Sequence, residues 1–319
     1  MSTTTDPILD YGVPAPGYRL PAATRLGRVR LQIADLERSI AYYEEVIGLR
    51  VLERGAGVAV LAAQGDDWPL VELREKSGAH QVPRRGRLGL YHFAILLPDR
   101  PSLGRFLAHL EQIGAYAGMS DHFVSEAIYL SDPDGLGIEV YADRPRSAWK
   151  QEGRQLLMTT VPLDEESLLR AAVGSGRADD VRWTGLPAGT VIGHVHLYVS
   201  DLENAASFYH RGLGLDKTVW SYPGALFMSA GGYHHHLGTN TWALGAPLAG
   251  PDDARMLEWE VVLPSPADAA EAARSLTSAG YAATPEGDDL KAVDPWGTAV
   301  RLLTERPSAD SAQGNTRSH

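Results

Sequence analysis

Residues 28–49 read RVRLQIADLERSIAYYEEVIGL and residues 194–215 read HVHLYVSDLENAASFYHRGLGL, identical at eight of twenty-two positions and offset by 166. A second pair stands at the same offset, HFAILLP at 92–98 and EWEVVLP at 258–264, each leading into a helical stretch that ends at a glycine, Gly114 or Gly280. Repetition of this kind defines the folding unit before any single residue is interpreted. Each stretch of the first pair opens with period-two alternation (Val29, Leu31, Ile33; Val195, Leu197, Val199), which predicts a strand. Asp35 or Asp201 then stands where a helix N-cap belongs. An apolar stripe at roughly helical spacing follows (Ile40, Tyr43, Ile47; Ala205, Phe208, Leu213), with Gly48 or Gly214 as the stop. Three more strands complete each unit, marked by apolar runs at 58–62, 70–73, 128–130 and 138–141. Asp132-Pro133-Asp134-Gly135 and Asp294-Pro295-Trp296-Gly297 form the turns between the last two strands. The unit is βαβββ, it occurs four times, and the expected class is α+β.

The repeats divide the chain into two halves, 25–145 and 190–305, each holding two units. Residues 146–189 read as a linker with a short amphipathic helix at 164–173, residues 1–24 as an arm and 306–319 as a flexible tail. The length of 319 residues suits about two domains of ~150 residues, and 44% hydrophobic content is enough to build their cores. With no cysteine, a disulfide scaffold is excluded. A net charge of −11 without a Lys/Arg cluster gives no electrostatic footprint for nucleic acid or an anionic membrane surface. No apolar run approaches the ~20 residues of a membrane span, and the N-terminus lacks the pattern of a secretory signal. The expectation is a cytoplasmic homo-oligomer whose partner is a small molecule.

Four βαβββ units, with Asp-Leu opening the helix, Tyr-Tyr or Phe-Tyr within it, Gly-Leu after it and Asp-Pro-x-Gly before the last strand, resemble the vicinal oxygen chelate superfamily. That superfamily includes glyoxalase I, bleomycin-resistance proteins and extradiol ring-cleaving dioxygenases. Four longer stretches, GLYHFAILLPDR (89–100), YLSDPDGLGIEVYADRPRSAW (129–149), IGHVHLYVSDL (192–202) and SAGGYHHHLGTNTW (229–242), are similar to the Bacillus group of catechol-2,3-dioxygenases. The resemblance implies that two units pair into an open cup and that metal ligands come from their first and last strands. The corresponding slots hold Arg28 and Glu72 in unit one, His92 and Glu139 in unit two, His194 and the His234–His236 run in unit three, and Glu258 and Arg301 in unit four.

Which units pair decides whether a site exists. Pairing of sequence neighbours would put an arginine into each cup, a cation that repels a divalent metal. Crossed pairing of units two and three collects His92, Glu139 and His194, a facial set of two imidazoles and one carboxylate that leaves metal positions open, as in non-haem Fe(II) oxygenases. Units one and four are then left with Arg28, Glu72, Glu258 and Arg301, which neutralise one another. Crossed pairing is therefore expected.

Within this resemblance Tyr129, ten residues before Glu139, matches an extradiol active-site tyrosine, and His122 lies near a second active-site histidine, although its seven-residue spacing to Tyr129 departs from the more usual nine. Residue-by-residue matching selects His235 as an acid–base group rather than a ligand, with strand alternation turning His234 and His236 to the opposite face. His196, Asn240 and Trp242 are further candidates for the wall. The implied activity is extradiol cleavage of a catechol or hydroquinone by O2, with Fe(II) or Mn(II) as cofactor. The alternatives are a glyoxalase-like isomerase, which generally takes a fourth ligand from the other unit, and a metal-free binding protein of the bleomycin-resistance kind.

Overall fold

Each unit folds as the repeat predicts, in a computed structural model that describes residues 11–173 and 183–304. Asp35 caps the helix Leu36–Tyr42 by accepting from Arg38 N at 2.9 Å, and Asp201 caps Leu202–Ala205 by accepting from Asn204 N at 2.7 Å. These bonds satisfy backbone donors that a helix start otherwise leaves open. Both helices then widen into a π turn, Tyr43–Ile47 and Ala206–Gly212, a local departure that a 3.6-residue period does not signal.

The π turns place Tyr43 and Tyr209 in the core, with their hydroxyls on Asp132 (3.3 Å) and Asp294 (2.7 Å). Those aspartates organise the two Asp-Pro-x-Gly turns in the same way. Asp132 Oδ1 accepts from Asp134 N and Leu136 N at 2.9 and 2.8 Å, and Asp294 Oδ1 accepts from Trp296 N and Thr298 N at 2.9 and 2.8 Å. Gly135 has a positive φ of 85°, and a Cβ there would meet Val82 O at 2.2 Å, so the fourth turn position has no room for a side chain. Each tyrosine–aspartate bond joins the two units within one sequence half. Within a half, then, the units pack through helix and turn.

The strand pairing runs the other way and is crossed, as expected. One eight-stranded sheet has the order Ala283–Glu286, Asp289–Val293, Ala299–Thr304, Arg255–Leu263, Arg25–Ile33, Val71–Glu75, Val58–Ala62, Arg50–Gly55, and so joins units four and one. The other, which joins units three and two, has the order Asp216–Val219, Ala225–Ser229, Leu237–Asn240, Val191–Tyr198, Gly89–Leu96, Gly137–Asp143, Ser125–Ser131, Gly118–Asp121. At both seams two first strands pair antiparallel, Arg25–Ile33 with Arg255–Leu263 and Gly89–Leu96 with Val191–Tyr198. Each cup thus takes one unit from 25–145 and one from 190–305.

The segment 11–24 docks on unit three: Val13 bridges Lys217, and Leu20 N donates to Gly214 O at 2.9 Å. In the linker the expected helix is present as Glu165–Val173, capped by Asp164 accepting from Ser167 N at 2.9 Å. A small hairpin of Gln151–Glu152 and Gln155–Leu156 precedes it. The tail at 306–319 lies outside the described residues, as do 174–182 of the linker. Among the described residues no helix is long and apolar enough to cross a membrane.

Candidate metal centre

The central seam of the sheet formed by units two and three builds the site by register alone. His196 stands directly opposite His92, His194 opposite Ala94, and Glu139 beside Ala94 on the parallel neighbour. Directly paired residues share a face and alternate residues return to it, so both histidines of Val191–Tyr198, His92 and Glu139 all point into the cup. Ala94, at the centre of the group, contributes only a methyl and leaves the space between the donors open.

His92 Nε2 and His194 Nε2 lie 3.0 and 3.2 Å from the same oxygen, Glu139 Oε2, and one donor atom of each residue lies within 4.8 Å of the others. All three residues are buried. Among the described residues, neither nitrogen of His92 makes a well-formed hydrogen bond and His194 Nδ1 has no hydrogen-bond partner. Buried imidazole nitrogens left without partners are costly unless something else engages them. Donors occupying adjacent corners around an ion at ~2.1 Å stand about 3 Å apart, the spacing seen here. Burial pushes the His194 imidazole down to about 4, which keeps its lone pair free at neutral pH. Burial would raise Glu139, but the neighbouring His194 and then His92 outweigh it and hold the carboxyl well below its usual range. Neutral imidazoles and an ionised carboxylate are the forms that bind a metal. This buried group can hold one.

The other cup shows what the same register does with different side chains. Arg30 stands opposite Glu258 and beside Glu72, the places that His92 and Gly238 hold around His196. Glu260 fills the place of Ala94. Arg30 Nε is 2.7 Å from Glu72, Arg28 is 3.0 Å from Glu72 and 2.7 Å from Glu260, and Arg301 is 2.6 Å from Glu258, while Arg30 also reaches Glu258. The expected charge cancellation among Arg28, Glu72, Glu258 and Arg301 is present. Arg30 at its centre, and Glu260, were not foreseen, although Arg30 is the 166-residue counterpart of His196. Breaking such a buried network costs about 3–5 kcal/mol, so these residues serve the fold.

The cavity of about 740 Å³ above the candidate ligands is lined by His122, Tyr129, His196, His235, Tyr222 and Trp242, among others. His122 Nδ1 is 2.6 Å from Thr159 O, and its Nε2 is 2.6 Å from Tyr129 Oη. A carbonyl only accepts, so a neutral His122 carries its proton on Nδ1 and takes the Tyr129 O–H on Nε2. Burial, then the nearby Glu139, pushes the Tyr129 phenol well above its ordinary value, so it stays protonated. Its oxygen lone pairs remain for a ligand. His196 Nε2 accepts from Asn240 Nδ2 at 3.0 Å, and burial lowers its imidazole well below the ordinary value.

The histidine run departs from the expectation. Residues 231–236 form turns ahead of the strand Leu237–Asn240, so strand alternation does not govern them. His235 lines the cavity, its ring centroid 4.1 Å from that of His194. His234 is fully buried directly behind it, rather than turned to another face: its Nδ1 is 2.7 Å from His235 Nδ1 and its Nε2 is 2.9 Å from Asp143 Oδ1. His236 turns away and accepts from Ala230 N at 3.2 Å. The Asp143 oxygen on His234 Nε2 sets the tautomers in sequence. His234 donates from Nε2 to Asp143 and accepts on Nδ1 from His235, which leaves the His235 lone pair on Nε2. Burial, then His194, holds His235 well below the ordinary histidine value. By register the place equivalent to Glu72 is Gly238, where a Cβ would meet the His196 ring at 2.8 Å; no side chain stands there.

Residues 25–140 and 191–297 match the Glyoxalase/Bleomycin resistance protein/Dioxygenase superfamily. The chain belongs to this superfamily. It is 46% identical over 276 residues to a protein of Bacillus subtilis named catechol-2,3-dioxygenase, an alignment covering 85% of this chain and 94% of that one. Among solved structures, a putative dioxygenase from B. subtilis shares the fold at a TM-score of 0.62 with 13% identity, covering 91% of this chain and 87% of that one. Glyoxalase I from Zea mays shares it at 0.53 with 18% identity, covering 88% and 92%. The superfamily's cup is therefore present twice in this chain. The sequence reading missed His234 and Asp143 as the groups behind His235, and it missed Met158, Thr159 and Thr160, which bring the linker into the cavity wall. Nothing in the linker's composition signals that role.

Proposed function

We propose that the chain is an extradiol dioxygenase that opens the ring of a catechol or hydroquinone with O2, using Fe(II), or Mn(II), held by His92, Glu139 and His194. The observation that carries this reading is a buried group of two imidazoles and one carboxylate with Gly238 in the fourth place, which leaves room for both diol oxygens and O2. It also disfavours the glyoxalase-like alternative, for which the resemblance implies a fourth protein ligand. The similarity to a protein named catechol-2,3-dioxygenase supports the same reading.

When bound, the metal supplies a Lewis acid and an electron relay that bring diol and O2 together. The remaining tasks fall to the chain's own residues. Two neutral imidazoles and one carboxylate leave a divalent ion with a single positive charge, which matches a diol that has lost one proton. Tyr129 Oη, its own proton committed to His122 Nε2, accepts a hydrogen bond from the substrate hydroxyl. His235 Nε2 receives or returns a proton on the oxygen side. Tyr222 and Trp242 form part of the cavity wall and help keep water from the ring.

The test is a panel of substituted catechols and hydroquinones supplied to the iron-loaded protein in air. One O2 consumed per diol and a yellow ring-opened product that retains both oxygen atoms are expected. Absence of O2 uptake with every diol, in protein carrying a full complement of iron, would overturn the reading.

A further inference from the structure

We propose that Arg84 and Arg85 form an anion subsite at the mouth of the cup. The substrate would then be an aromatic diol carrying a carboxylate-class substituent on the side of the ring away from the diol. This rests on the diol-cleaving reading above and extends it to the other end of the substrate.

The segment 82–87, VPRRGR, lines the cavity through every residue but Gly86 and is pinned on both sides. Val82 N donates to Asp134 O at 2.9 Å, and Arg87 donates to both carboxylate oxygens of Asp253 at 2.7 and 3.1 Å. Arg87 is thereby neutralised. Arg84 and Arg85 line the same cavity, and among the described residues neither is ion-paired with a carboxylate. They share that lining with Tyr91 and Tyr198, whose rings lie 4.7 Å apart. The Tyr91 ring is in turn 4.5 Å from that of His92. Tyr91 thus lines the cavity directly beside the candidate metal ligands, in the same wall as the two arginines. A diol seated on those ligands lays its ring along Tyr91 and reaches the arginines with its far substituent.

Three further observations agree. The cavity, at about 740 Å³, is of a size that houses drug-sized ligands rather than a lone ring. The chain carries a net charge of −11, so its overall field repels an anion, and only local cations reverse that. Arg85 has a φ of 58°, and apart from Phe123 every other positive φ among the described residues belongs to a glycine. A left-handed arginine at a cavity mouth is strain held where the position of the side chain matters.

The experiment titrates 3,4-dihydroxyphenylacetate and its methyl ester, without oxygen, into the metal-loaded protein and into the Arg84→Gln, Arg85→Gly and doubly substituted variants. The acid is expected to bind about 10- to 100-fold more tightly than the ester in the wild type, as a charge-assisted pair allows, with the gap closing as salt is raised. In the double variant the two affinities should converge. Arg85→Gly relaxes the left-handed backbone, so its thermal midpoint should not fall and lost affinity cannot be put down to misfolding. Equal binding of acid and ester by the wild type, or a preference that survives in the double variant, would overturn the subsite. Admitting air then separates the two readings. An acid bound preferentially but never oxygenated leaves the subsite standing and removes diol cleavage, whereas cleavage without any preference for the acid does the reverse.

Discussion

His194→Ala protein is expected to emerge folded but with almost no bound metal, and His92→Ala and Glu139→Ala should behave in the same way. The three residues stand on adjacent strands of a single sheet, with His92 and His194 at 3.0 and 3.2 Å from the same Glu139 oxygen, and the strands that carry them pair through their backbones. Removing a group that merely orients a metal ligand weakens metal binding by roughly 10- to 100-fold, so loss of a ligand should cost more than that. Oxygenase activity should fall with metal content. Metal analysis beside a circular dichroism melt checks this. A His194→Ala variant that keeps both its fold and a full equivalent of iron would contradict the ligand assignment.

His235→Ala should give the second large effect, and of a different kind: metal retained, diol bound, turnover reduced by on the order of 10²- to 10⁴-fold, as for a positioned acid or base. His235 reaches the cavity beside His194, but the group of three is complete without it, and its Nδ1 is already engaged by His234. His234→Ala should reproduce part of the loss, because it frees the His235 tautomer that Asp143 otherwise sets through His234. His236→Ala, whose ring faces Ser229 and Ala230, should change little. Single-turnover rates together with metal content separate these outcomes. If His235→Ala strips the metal, a four-ligand site and the isomerase reading gain support.

What could be read from the sequence follows from where chemical information is concentrated. The 166-residue offset made the four units visible. The charge on Arg28 and Arg301 ruled out neighbour pairing, because a ligand slot filled by a cation is informative even without coordinates. The same repeat held unused information: Arg30 lies at the offset of His196, and the structure places it at the centre of the ion-pair network. The histidine run failed for a physical reason. Period-two alternation belongs to strands, and residues 231–236 are turns, so their directions follow from packing against Asp143 and Ser229. Thr159 could not have been found from its side chain at all. It acts through its carbonyl, which any residue supplies, and it reaches His122 from 37 positions away.

The central claim is that one of two matching cups holds a metal while the other is closed by its own charges. Anomalous diffraction from a crystal soaked in Mn(II) or Fe(II) tests this directly. One strong peak per chain is expected, within bonding distance of His92, Glu139 and His194, with none beside Glu72 and Glu258. A peak in the cup of Arg28, Arg30 and Arg301, or no peak at the three candidate ligands, would contradict it.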